Sequence, residues 1–148
     1  MNVVVRNYYL LIAGLLALLF AFTHAWNGHS TVLPTLDGKT VSLDTRIVFT
    51  YVWHIITVEN LIFGFAFIVM SLQSEQSKIR FAAWMIVSIL IFRLAVILGV
   101  TAFRDASALT DTLTDSVAIV IYIALIILGT RKKKKQYGGE PPQSSIGQ

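Results

Sequence analysis

Tyr51-Val52-Trp53-His54-Ile55-Ile56-Thr57-Val58-Glu59-Asn60 lies inside an otherwise apolar run from Ile47 to Leu72. Crossing a bilayer takes about 20 mostly apolar residues, and this run exceeds that. It nevertheless carries a histidine, a glutamate and an asparagine. Ionisable groups cost several kcal/mol in hydrocarbon and normally face a bundle interior or a wet cavity, so the stretch predicts both a spanning helix and a polar site. Three more apolar stretches of similar length flank it: Tyr8 to Trp26, Ile79 to Phe103 and Leu109 to Thr130. Together they predict an all-α integral membrane four-helix bundle, a single domain over residues 1–131. Residues 132–148 follow as a basic and then Gly-, Pro-, Ser- and Gln-rich flexible tail.

Composition agrees. Hydrophobic residues make up 55% of the chain and charged ones 14%, with a mean hydropathy of +0.71; a soluble globular domain is excluded. The absence of cysteine removes thiol–disulfide chemistry, iron–sulfur clusters, Cys-ligated zinc and lipidation at Cys. The net charge of +4 comes largely from Arg131-Lys132-Lys133-Lys134-Lys135, directly after the last span. Such a run anchors a helix end on anionic lipid at the cytoplasmic face. No aromatic interleaving or binding fold accompanies it, so nucleic acid is not an expected partner.

Four spans with a basic C-terminal flank put both termini in the cytoplasm. Arg6, Lys78 and Arg80 fall on the same side as the basic run, against Lys39, Arg46 and Arg104 outside. A secretory signal is the alternative reading of Arg6, the apolar Leu10–Phe22 and Thr23-His24-Ala25, and cleavage there would leave the remaining orientation unchanged. Thr31 to Leu43 reads as a short hairpin-like extracytoplasmic loop turning at Asp37-Gly38, with Pro34 confining it to edge pairing. It would serve either as a flap over the bundle mouth or as an ordered connector.

Helical periodicity sorts the polar residues. In the first span, Gly14, Ala17, Ala21, Ala25 and Gly28 form a small-residue stripe suited to close helix packing. His24 lies beside it near the outer end, either as an interfacial residue next to Trp26 or as a ligand or proton relay; His29 belongs in the loop. In the second span Tyr51, His54, Thr57 and Val58 share one face, with Glu59 about 140° from His54. The two cannot form a single-face metal motif, but they can line two edges of one helix. Asn60 suits a hydrogen bond across helices. Arg93 interrupts the third span and must find an anion, carbonyls or water, because guanidinium cannot shed its charge. Asp111 and Asp115 stand on one stripe of the fourth span with Ala118 and Tyr122. Arg93 with Asp115 is the expected pair and Glu59 the competing partner; a purely structural ion pair between helices is the plainer alternative.

The candidate pocket, in the outer half of the bundle, therefore comprises His24, His54, Thr57, Glu59, Arg93, Asp111 and Asp115. His24, His54 and Asp115 would suit a two-His, one-carboxylate metal site, and the two histidines could hold haem, though no ligand spacing specifies either. No phosphate loop, nucleophile elbow or selectivity filter is present. The leading expectation is a binding protein for a hydrophobic or amphipathic, lipid-like ligand, or for a partner subunit or second copy. One rival is an enzyme on a lipid-like substrate, with His54 or Glu59 moving protons and Arg93 stabilising an anion. Another is a proton-coupled carrier working through Glu59.

His24-Ala25-Trp26-Asn27-Gly28, Leu33-Pro34-Thr35-Leu36 and Tyr51-Val52-Trp53-His54-Ile55-Ile56-Thr57 together resemble a pattern in small bacterial four-span membrane proteins of uncharacterised function. The resemblance covers about the first 60 residues. It implies a bacterial inner-membrane location and singles out His24, His54 and Thr57, and it supplies no activity. The order of polar groups is also loosely similar to four-span sterol-isomerase-like bundles, an analogy of fold without matching spacing.

Overall fold

A computed structural model describes residues 4–37 and 41–131. Four long helices make up the chain: α1 (Tyr8–Asn27), α2 (Leu43–Leu72), α3 (Gln76–Arg104) and α4 (Leu109–Thr130). All four are long and apolar enough to cross a membrane, and no strand occurs among the described residues. The faces that no helix covers carry large apolar side chains, including Phe22, Phe65, Phe81 and Phe92. Water would not tolerate that surface, whereas hydrocarbon does; this is a multi-pass membrane architecture.

Helix ends follow polar capping rather than hydropathy. Asn7 opens α1 by accepting from the Leu10 amide at 3.2 Å. Ser42 accepts from the Thr45 amide at 3.2 Å and Asp44 sits in the first turn. That cap starts α2 four residues before the apolar run, because a capped helix begins at its cap and not at its first oily residue.

The hairpin expected between the first two spans is not formed. The chain instead continues from α1 through a π-helical turn (Gly28–Val32) and a 3-10 turn (Leu33–Asp37). Pro34 lies at the start of that 3-10 turn, where its missing N–H costs nothing. Asp37 does not serve a turn with Gly38; it pairs with Arg46 at 3.2 Å, tying the connector to the start of α2. Gly38, Lys39 and Thr40 lie outside the described residues.

Around the bundle the helices follow the order α2, α1, α4, α3, and α2 and α3 touch least. The α1–α2 seam is the closest. A methyl group on Gly14 would lie 2.9 Å from the Gly64 carbonyl oxygen and 2.8 Å from Ile68. Gly14, Ala17 and Ala21 of the small-residue stripe are buried there.

The two ends of the bundle differ. At the end bearing the termini and the α2–α3 turn, here the terminal end, a continuous core joins Leu10, Phe67, Ile79, Val87, Tyr122 and Ile126. Tyr122 stands edge-on to Phe20 and Phe67, with ring centroids 5.6 and 6.2 Å away. Arg6 and Asn7 donate their amides to the Ser71 carbonyl at 2.9 and 3.1 Å, and the Asn7 side chain donates to the Gly129 carbonyl at 2.7 Å. Toward the other end, where the α1–α2 and α3–α4 connectors lie, this core stops near Phe63 and Leu90. Beyond it α3 stands clear: nothing lies within 4 Å of a Cβ placed on Gly99.

Candidate functional site

The polar cluster sits where the core stops. Arg93 of α3 donates Nη2 to Glu59 Oε2 and Nη1 to Asn60 Oδ1 at 3.4 Å on α2. Side-chain exposures of 18% for Arg93 and 29% for Glu59 mean that the pair is reachable and not sealed. It bridges the two helices that otherwise touch least, just past the last core residues Phe63 and Leu90.

Arg93 thus pairs with Glu59, not with Asp115 as expected. The reason is depth. Asp115 lies six residues into α4 while Arg93 lies eleven residues before the end of α3. At about 1.5 Å per residue, that sets the carboxylate roughly 7 Å nearer the connector end. Across the tight α2–α3 turn, Glu59 is 13 residues from the end of α2 and Arg93 is 17 residues from the start of α3. That offset of about 6 Å is within reach of a long arginine side chain. Asp111 and Asp115 are exposed in the opening turns of α4, where negative charge favours the helix dipole.

His24 and His54 do different things. The His24 ring stacks on Trp53 at 4.2 Å between centroids and 6° between planes. Trp53 Nε1 donates to the His24 carbonyl at 3.0 Å. Gly28 makes this possible, since a Cβ there would fall 2.0 Å from Trp53 Nε1. His24 Nε2 is buried without a hydrogen-bond partner among the described residues. His54, one position on from Trp53, is exposed on the outward face of α2. Thr57 turns back on its own helix, donating to the Trp53 carbonyl at 3.4 Å. The structure therefore does not gather His24, His54 and Asp115, and among the described residues no three carboxylate or imidazole groups converge as a metal site would require.

A groove of about 770 Å³ runs along α2 from Leu43 to Phe63. Its wall is mostly branched and aromatic (Ile47, Tyr51, Ile55, Val58, Ile62), with Arg46 near one end, His54 midway and Glu59 near the other. Every wall residue described belongs to α2, so the groove opens sideways, as a lipid-facing shelf does. That volume falls in the range of small-molecule sites, about 300–1,000 Å³.

Two contributors lay outside the set that periodicity singled out. Trp53 is the centre of the α1–α2 contact at the connector end, and the signal for it was Gly28, a small residue one helix away. Arg46, which ties Asp37 to the rim of the groove, has its Nε buried without a partner among the described residues; charge counting had treated it only as an orientation marker. No protein-family model, curated protein or solved structure matches this chain.

Proposed function

We propose that the chain binds an amphipathic, lipid-like molecule in the open half of its bundle, without catalysing a reaction on it. The observation that carries this reading is the half-buried Glu59–Arg93–Asn60 cluster, exposed where the core ends and adjoining a long apolar shelf on α2. An apolar wall with a few fixed polar groups is the composition that orients a small ligand. Arg93 has five N–H donors and uses two on α2, so it retains donors for an incoming polar group.

The shelf is a poor seat for a partner helix. Helix interfaces in bilayers favour Gly, Ala, Ser and Thr, and this wall is dominated by Ile, Val, Tyr and Leu. The small residues that α1 and α2 possess are spent on each other. The pairing of Glu59 with Arg93 likewise favours binding over proton transfer, since a carboxylate held by guanidinium is a weak base. The flanking charges place this half of the bundle on the extracytoplasmic side of a bacterial inner membrane, with both termini inside.

Native mass spectrometry of the full-length protein from mild detergent tests the proposal, with Val58→Trp filling the shelf. Retention of a lipid-like mass at one per chain, reduced at least about fivefold in the variant with helix content unchanged, is the expected result. An empty monomer, equal retention in both proteins, or a stoichiometric second polypeptide would overturn it.

A further inference from the structure

At the terminal end, a second cavity of about 790 Å³ lies between the start of α1, the start of α3 and the end of α4. Arg6, Arg80 and Arg131 line it, one from each of those three places, together with Tyr8 and Tyr9. No carboxylate is among its lining residues. The nearest acid in sequence, Glu75, is engaged by Lys78 at 2.7 Å. Arg80 Nε is buried without a hydrogen-bond acceptor among the described residues. Three guanidinium groups around one cavity repel one another, and an anion inside it would turn that repulsion into attraction.

The surrounding backbone favours the same sign of charge. Glu75, the residue before α3, makes no side-chain capping bond, so the first amides of that helix and its positive end remain available beside Gln76 and Ser77. Carbonyls at the end of α4 would oppose an anion, but two are occupied: Gly129 accepts from Asn7 at 2.7 Å and Leu128 accepts from the Arg131 amide at 3.3 Å. The floor is firm, because a Cβ on Gly129 would meet Leu10 at 2.9 Å.

We infer that this cavity binds the phosphate-bearing headgroup of an anionic membrane lipid. Planar guanidinium forks match phosphate oxygens in pairs. The site sits where the apolar spans end and the interfacial Tyr8 and Tyr9 begin, which is headgroup depth. Basic pockets between spanning helices at a cytoplasmic face are suited to such headgroups. This inference is independent of the α2 shelf, from which the cavity is separated by the core.

The test is native mass spectrometry of the full chain in nanodiscs of phosphatidylcholine with about one quarter phosphatidylglycerol by composition. The expected result is preferential retention of one phosphatidylglycerol, with selectivity falling about tenfold in Arg80→Gln, a loss in line with removal of a charged hydrogen-bonding partner. Arg6→Gln and Arg131→Gln, at exposed positions, should each lower it less and serve if Arg80→Gln does not fold. Replacing Lys132, Lys133, Lys134 and Lys135 by Gln separates the cavity from diffuse attraction to the tail. Selectivity lost in that tail variant but kept in the arginine variants would overturn the inference. So would displacement of the lipid by millimolar inorganic phosphate, which would make the site one for a soluble anion.

Discussion

One half of this bundle is closed by small residues and the other is held by charge. At the terminal end and along the α1–α2 seam, helices approach until Gly14 and Gly64 nearly touch. At the connector end, α2 and α3 part and a single arginine spans them. Without a hydrophobic drive between helices in lipid, close van der Waals packing and hydrogen bonds are the forces left. The closed half uses the first and the open half the second. Packing seals a seam, whereas an ion pair with free donors leaves an entrance.

Gly14 and Gly99 offer the most direct way to break this contrast. Gly14→Leu should cost about 3 kcal/mol or more, as overpacking against a backbone carbonyl forces α1 and α2 apart. Gly99→Ala meets open space and should be neutral, or stabilising by up to about 1 kcal/mol through helix propensity. Reversible unfolding in mixed micelles measures both; a similar loss at the two sites would erase the distinction between the halves.

The ion pair should respond asymmetrically. Glu59→Leu leaves a guanidinium that cannot discharge itself, at a cost of about 3 kcal/mol. Arg93→Leu leaves a carboxyl group that can take up a proton, so about half that cost is expected. The double variant should recover most of the loss, and a double-mutant cycle gives the coupling. Equal single costs with no coupling would mean that the bridge does not hold the fork.

A smaller effect is expected at the rim. Trp53→Phe keeps an aromatic face for His24 but removes the donor to its carbonyl, a loss of about 1 kcal/mol. Smallest is Asp105, in the α3–α4 link. Hydrogen bonds from the Ser107 hydroxyl and amide hold its carboxyl below the usual aspartate range. Its contribution is present above the unfolded value and is lost as pH falls through the lowered folded one. Asp105→Asn should therefore lower thermal stability slightly at neutral pH and not in acid.

The four spans were legible because bilayer thickness fixes a length and hydrocarbon fixes a composition. The small-residue stripe was legible for a related reason: Gly14, Ala17 and Ala21 recur at helical spacing, and no other bilayer feature calls for that. The partner of Arg93 was not. Pairing depends on where each helix starts, and α2 starts at a serine cap that hydropathy does not register. The loop reading failed at Asp37-Gly38 because a local turn signal competed with Arg46, nine residues on, which claimed the aspartate. Trp53 was hidden for the same kind of reason: its importance lies in Gly28, whose missing side chain leaves room on α1.

The clasp around Asn7 bears on the order of assembly. Its side chain binds a carbonyl 122 residues later in the chain, so a nascent α1 that has already entered the bilayer must wait for the last helix before its own start is fastened. Until α4 arrives, that amide and the neighbouring arginine can only be served by water or lipid. Chain stalled after α3 should therefore expose its first turn to a membrane-impermeant label, and synthesis of α4 should protect it.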